Sequence, residues 1–195
     1  QKDVKLNGWA IESRLYAEDP YRNFLPSTGR LTRYSPPREL SSPPHSYGLR
    51  NDGGVEEGGE ISTFYDPMIS KLCTWAPTRE AAIDAMQMAL DQFEVEGVGN
   101  NIPFLGAVMA QPRFREGRLT TGYIAEEFPD GFIGTMPDDI TLRRLAALAC
   151  CSSHAVETRG FTDIAPVPNG RDTQRAVLLA GRRWDFAVRA DGIEY

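Results

Sequence analysis

Residue types capable of bond-making or ligand chemistry are few in this 195-residue sequence, and they are scattered. The three cysteines, Cys73, Cys150 and Cys151, show no CxxC spacing, and the adjacent pair cannot easily bridge within itself. An odd count without a pairing pattern argues against a disulfide framework and a cysteine-built zinc site. It suits a reducing compartment in which the thiols are small buried apolar groups. The two histidines, His45 and His154, lie in unrelated contexts, which gives histidine catalysis little support. No P-loop, no GxGxxG opening a helix, no GxSxG elbow and no HExxH helix occurs. The run Gly53-Gly54-Val55-Glu56-Glu57-Gly58-Gly59 carries two carboxylates and no basic residue, so as a phosphate cradle it would repel its ligand. Two features remain. Arg50 ends a predicted strand beside this run, where backbone can approach a ligand and a guanidinium can face developing negative charge. A solvated strand-end arginine is the plainer reading of the same residue. Glu12 and Arg14 form a same-face pair on a strand, more often a structural ion pair than a catalytic one.

The elements that must position these residues follow from periodicity. Trp9 to Tyr16 alternates, with Trp9, Ile11 and Leu15 on one face and Glu12, Arg14 and Tyr16 on the other, the period-two signature of a strand. A short strand is expected around Leu31 to Tyr34, then a surface loop from Ser35 to Ser46 whose four prolines cannot donate ladder hydrogen bonds. Extended structure resumes at Tyr47 to Asn51. Met68 to Trp75 alternates again and stops at Pro77. Thr78 is placed to cap a helix with an apolar stripe of Ala82, Ile83, Met86, Ala89, Leu90 and Phe93. A second helix is expected after Asn100 or Asn101, with Pro103 in its first turn and its end before Pro112. A third, capped by Thr121, should run to Phe128. Strands first and helices after give an α+β domain closing near residue 132.

Beyond Ile133 the pattern changes to a helix opened by Asp138 and Asp139, with a stripe of Leu142, Leu145, Leu148, Ala149 and Val156 and a stop at Gly160. Residues 161–174 read as loop. Val177 to Leu179 and Trp184 to Val188 then make a hairpin about Ala180-Gly181. One helix and one hairpin are too little for a separate core, so residues 133–195 read as the opening of a second domain cut short at Tyr195. Without an initiator Met, the chain is expected to be a piece of something longer. Twenty-one Lys and Arg against 27 Asp and Glu give a net charge of −6, which does not favour nucleic acid or an anionic membrane. No apolar run approaches the about 18 residues that span a bilayer, and Gln1-Lys2-Asp3 is no signal peptide. A soluble protein is expected.

Four ordered strings carry a resemblance: GWAIESRLYAEDP at 8–20, FLPSTGRLTRY at 24–34, LRNDGGVEEGGEISTFYDPMISKL at 49–72 and FEVEGVGNNIPFL at 93–105. In this order and spacing, residues 1–132 resemble the C-terminal domain of biotin carboxylase, the last third of the ATP-grasp enzyme that charges biotin with CO₂. LCTWAPTREAAI (72–83) and RLTTGYIAEEFPDGF (118–132) bring the likeness closest to the α subunits of acyl-CoA carboxylases. The resemblance implies an α+β fold, an antiparallel sheet with helices packed on it. Residues 133–195 would begin the helix-plus-β-barrel domain that connects biotin carboxylase to the β subunit. The family's biotin-contacting arginine lies 21 residues before the lysine of the DxMIxKL motif, a spacing that falls on Arg50 and Lys71. Arg50 would therefore hold biotin's ureido oxygen and stabilise the negative charge that develops there. Tyr65-Asp66-Pro67-Met68 would organise the sheet beneath it, and Asp66 and Lys71 are carried as structural, Lys71 toward the site. Biotin, ATP and Mg²⁺ are the implied cofactors, but the family's nucleotide-, metal- and bicarbonate-binding strings and its biotin-bearing lysine are not found here. No metal ligand is assigned, and the chain alone is expected to be inactive. The implied partners are the ATP-grasp and biotin carrier domains of the same subunit and the β-subunit carboxyltransferase, in the cytoplasm of a bacterium or the mitochondrial matrix of a eukaryote. The alternatives are the α subunit of a carboxylase acting on methylcrotonyl-CoA or acetyl-CoA, and an assembly module without chemistry.

Overall fold

A computed structural model describes residues 3, 5–62, 64–159, 173–189 and 192–194. They form two compact units, Gln1–Thr135 and Met136–Tyr195. In the first, the strands are β1 (Trp9–Tyr16), β2 (Glu18–Asp19), β3 (Leu25–Pro26), β4 (Gly29–Arg30), β5 (Arg33–Ser35), β6 (Gly48–Gly53), β7 (Glu60–Ile61), β8 (Met68–Ala76) and β9 (Glu94–Glu96). The helices are α1 (Arg79–Gln92), α2 (Ile102–Ala110), α3 (Pro112–Arg115) and α4 (Tyr123–Glu127). Three strands pair antiparallel in the order β1-β8-β6, and the short strands pair as β2-β3, β4-β7 and β5-β9. The expected mixed α+β architecture with small antiparallel sheets is present.

The central sheet has one face in the core and one open. Ile11, Ser13 and Leu15 of β1, Ser70, Leu72 and Thr74 of β8, and Leu49 of β6 are buried on the inner face. The α1 stripe packs there, with Ala82, Ile83, Met86, Ala89 and Leu90 at most 2% exposed. Thr74 adds a side-chain link, its hydroxyl donating to the Ala82 carbonyl at 2.9 Å. Trp9 departs from the expected inner face and is 52% exposed, whereas Ser13 is buried in the same stripe as Ile11 and Leu15. Alternation in β8 is clean only from Ser70 on. Leu15 pairs with Ser70 and Tyr16 with Met68, so Ile69 is the extra residue of a bulge and two successive side chains turn inward.

The ends of α1 and α2 follow the expected punctuation. Thr78 Oγ1 accepts from the Ala81 amide at 3.2 Å, and α2 begins just after Asn101 with Pro103 in its first turn. Thr121 does not cap α4. The chain enters through Gly122, and the Tyr123 amide already donates to the Thr120 carbonyl at 3.1 Å, so no hydroxyl is required. The strand expected at Leu31 starts two residues later, at Arg33, opposite Glu96, the last residue of its antiparallel partner β9.

The second unit contains α5 (Asp139–Arg159) and the strands β10 (Thr173–Leu179), β11 (Arg182–Arg189) and β12 (Gly192–Glu194), paired antiparallel in that order. Asp138 opens the helix, its carboxylate accepting from the Thr141 amide at 2.7 Å, and that bond holds the carboxyl below its ordinary range. The hairpin turns at Ala180 and Gly181, both at positive φ, as a two-residue turn between twisted strands requires. A third strand beside the hairpin supports an apolar cluster of Leu142, Ala146 and Cys150 with Trp184, Phe186 and Val188. The stripe on α5 therefore runs at every fourth residue, from Leu142 to the small side chains of Ala146 and Cys150, which fit against the two aromatic rings. Leu145, Leu148 and Val156 of the expected stripe are 44%, 61% and 68% exposed. The expected stop at Gly160 and most of the loop at 161–174 fall outside the described residues.

Candidate functional site

Side-chain alternation brings the chemistry-bearing residues of three strands onto the open face of the central sheet. Cys73 of β8 lies between Glu12 of β1 and Arg50 of β6, and Lys71 lies between Arg14 and Asp52. Each outer strand carries its own ion pair: Arg14 Nε to Glu12 Oε1 at 3.1 Å, and Arg50 Nη2 to Asp52 Oδ2 at 3.0 Å. Strand spacing places Glu12 and Arg50 about 10 Å apart across β8. Between them runs a cleft of about 410 Å³ lined by Ala10, Glu12, Gly48, Arg50, Cys73 and Trp75.

Arg50 is not at a strand end, as the glycines after it suggest, but in the middle of β6, which pairs with β8 as far as Gly53. Its strand is at the edge of the sheet and is secured from three sides. Leu49 exchanges backbone hydrogen bonds with Leu40, at 2.9 Å each. The outward-facing Asn51 amide donates to Glu39 Oε1 at 2.8 Å. On the inner face the Asn51 amide group accepts a very short bond from the Ser70 hydroxyl and donates to Tyr34 Oη at 3.2 Å. The proline-rich loop thus closes an edge that would otherwise present unpaired backbone.

The guanidinium itself is held loosely. The Arg50 side chain is 67% exposed, and its bonds are from Nη2 to Asp52 and, at 3.9 Å, to Cys73 Sγ. Among the described residues no acceptor takes Nε–H or the Nη1 hydrogens, and Arg50 lines the cleft. The Asp52 carboxylate raises the guanidinium's pKa above the ordinary arginine value, so the group stays charged. Burial pushes the Cys73 thiol up; Arg50 opposes that shift, while Glu12 and Asp52 add to it. Lys71 shares the open face, as expected, opposite Asp52. Asp66 accepts from the Met68 amide at 3.0 Å, a turn contact at the entry to β8.

Asn101 also supports the face, from beyond β1. Its Oδ1 accepts from the Tyr16 amide at 2.9 Å, and its Nδ2 donates to the Arg14 carbonyl at 3.1 Å. Periodicity identifies Asn101 only as a helix opener. Asp52, by contrast, could have been found by the same two-apart rule that pairs Glu12 with Arg14. Glu39 left no local signal.

Residues 12–126 match the family described as biotin carboxylase C-terminal domain, and the chain belongs to that family. The propionyl-CoA carboxylase alpha chain of Ruegeria pomeroyi is 52% identical over 98% of this chain and 30% of its own length. The human mitochondrial propionyl-CoA carboxylase alpha chain is 43% identical over 76% of this chain and 20% of its own. Among solved structures, the biotin carboxylase domain of Hydrogenobacter thermophilus 2-oxoglutarate carboxylase, in complex with MgADP, ADP and bicarbonate, superposes with a TM-score of 0.60. It is 40% identical, over 65% of this chain and 26% of that one. The chain thus spans less than a third of the length of these relatives.

Proposed function

We propose that this chain forms one wall of the biotin pocket in the α subunit of a biotin-dependent acyl-CoA carboxylase, of the propionyl-CoA type, in which ATP and bicarbonate drive the carboxylation of biotin. The observation that carries this reading is a charged arginine with free donors standing over a cleft of about 410 Å³. That volume is within the range of about 300–1,000 Å³ usual for small-ligand sites. A ureido oxygen is a strong acceptor, and the uncommitted Arg50 donors suit it without displacing Asp52. When bound, biotin supplies the nitrogen that takes up CO₂. Arg50 contributes hydrogen bonds and a fixed positive charge to the oxygen on which negative charge grows, an effect that is strongest when the donor is already in place. The aliphatic and indole surface at Ala10 and Trp75 offers an apolar floor.

Among the described residues there is no group of three or more His, Cys, Asp or Glu side chains that could hold a metal ion. ATP and Mg²⁺ would be used by the whole enzyme, a reading supported by the relative's complex with MgADP and bicarbonate. The open face lies on the surface of its unit, so exclusion of water would fall to the ATP-grasp part of the subunit. The biotin carrier domain and the β-subunit carboxyltransferase are the remaining proposed partners, supported by the propionyl-CoA carboxylase relatives. No helix of the described residues is long and apolar enough to cross a membrane. The human relative's mitochondrial designation supports the mitochondrial matrix for a eukaryotic bearer, with the cytoplasm for a bacterial one.

The test is turnover of free biotin by the intact carboxylase. Arg50→Ala should lose on the order of 10²–10³ in rate, as loss of a preorganised donor does. Arg50→Lys should recover only part, because an ammonium keeps the charge without the planar fork. An alanine variant that keeps more than about a third of wild-type turnover would refute the assignment.

A further inference from the structure

We infer that the proline-rich loop at 35–46 is an autoinhibitory guard: Glu39 and Leu40 occupy the outward edge of β6, which would otherwise pair about a two-fold axis with β6 of a second copy of this chain. The inference does not depend on the reading of Arg50 given above. β6 ends the sheet order β1-β8-β6 on one side, and its outward backbone groups are those of Leu49 and Asn51. The loop takes both residues. Leu40 exchanges two backbone bonds with Leu49 at 2.9 Å each, and Glu39 Oε1 accepts from the Asn51 amide at 2.8 Å. The carboxylate bond is the charge-assisted one and the stronger of the two kinds.

Beneath the guard the edge is self-complementary. Arg50 and Asp52 stand two residues apart on the open face, with side chains 67% and 47% exposed. A two-fold axis at Asn51 would set Arg50 of each copy opposite Asp52 of the other, and opposite charges directly across a ladder are favourable. Moving the axis by one residue would set Arg50 against Arg50 or Asp52 against Asp52, so one register is favoured. Such a contact is isologous and closes at two copies. The loop is suited to blocking this edge and not to extending it. Pro36, Pro37, Pro43 and Pro44 flank Glu39-Leu40 and carry no N–H, so a strand laid outside the loop would meet few donors. As part of the same chain, the guard also competes at an effective concentration of about millimolar, above that of a second copy in dilute solution.

The experiment measures the mass of the intact α subunit by sedimentation velocity over a range of concentrations, with circular dichroism to confirm the fold. It compares wild type with Glu39→Ala and Glu39→Ala/Leu40→Pro, each with and without Asp52→Lys. Leu40→Pro removes the amide that donates to the Leu49 carbonyl. Glu39→Ala alters only an exposed side chain, so it keeps the test decisive if the proline variant does not fold. Both unguarded variants should show a concentration-dependent doubling of mass relative to wild type, the proline variant at the lower concentration. Asp52→Lys should return each to the wild-type mass, because it sets two cations opposite each other in the favoured register. Wild-type mass at every concentration in every folded unguarded variant would overturn the inference. Association that Asp52→Lys leaves in place, or that runs beyond two copies, would overturn it too, by showing a contact other than this edge in this register.

Discussion

Replacing Asn101 by leucine should destabilise the first unit by about 2–4 kcal/mol. The side chain is 6% exposed and close in shape to leucine, so little packing volume changes. What is lost is polar: the bond that Tyr16 N–H donates to Oδ1 at 2.9 Å and the bond that Nδ2 donates to the Arg14 carbonyl at 3.1 Å. Each bond contributes about 0.5–1.5 kcal/mol net, and each backbone group left unpaired costs about 1–3 kcal/mol of desolvation. Both groups are only part-buried, so water can relieve some of the cost, which places the total near the lower half of the sum. Urea unfolding followed by peptide circular dichroism would show the loss as a fall in midpoint of about 1–4 M at an m-value of about 1–2 kcal/mol/M. Asn101→Asp sharpens the test. One oxygen still accepts from Tyr16, but the other meets the Arg14 carbonyl, so the carboxyl should be protonated in the fold well above its unfolded pKa. A raised folded pKa means a contribution that is full below the unfolded value, about 3.9, and lost as pH rises through the folded value. The aspartate variant should therefore approach wild type in acid and fall behind it at neutral pH. A loss under about 0.5 kcal/mol in the leucine variant, or an aspartate variant whose deficit does not depend on pH, would refute the account.

Three further outcomes are expected. Thr78→Ala should cost about 1 kcal/mol in thermal unfolding and Thr78→Ser almost nothing, because only the hydroxyl that accepts from Ala81 matters. Gly97→Ala should cost about 3 kcal/mol or more: at φ +97° its new methyl would lie 2.1 Å from the Arg30 carbonyl oxygen and 2.8 Å from the Thr32 nitrogen, both backbone, and a normally stable variant would disprove this. Alkylation of Cys73 by iodoacetamide, read by peptide mass spectrometry, should reach half its limiting rate at a higher pH than an unburied cysteine does, since burial raises the thiol and only the thiolate reacts. Arg50→Ala removes a lowering influence and should move that midpoint higher; a downward move would contradict the geometry.

Local rules carried the reading of β1, β8 and α1, because Ile11 and Leu15 repeat at two and Ile83, Met86 and Leu90 repeat near 3.6 along one chain segment. They misplaced what neighbours decide. Gly53 and Gly54 look like the end of a strand at Arg50, yet β6 continues to Gly53 because Ser70 of β8 is there to receive it. On α5, leucines at 145 and 148 outrank Ala146 and Cys150 in hydrophobicity, but the space against Trp184 and Phe186 admits the small residues. At the site, Arg50 is a proposal drawn from the family resemblance, whose motif spacing to Lys71 falls on it; periodicity alone reads it as a strand arginine. The hold of Glu39 on the Asn51 amide and of Asn101 on β1 crosses 12 and 85–87 residues respectively, distances over which no periodicity speaks.

The edge position of β6 separates the life of the site from the life of the fold. Only Leu49 of β6 belongs to the main apolar cluster, whereas β1, β8 and α1 supply most of its members. Releasing β6 would expose little of that cluster; it would break the Glu39 tether, the Leu40–Leu49 bridge and the ladder to β8. Openings of this kind draw on a smaller free energy than global unfolding and report as fast amide exchange in one segment. The Arg50 and Asn51 amides should exchange ahead of those of Leu72 and Thr74 on the central strand. On warming, β6 should then come away from β8 before the circular dichroism of the unit changes, and exchange at the Arg50 amide should report it.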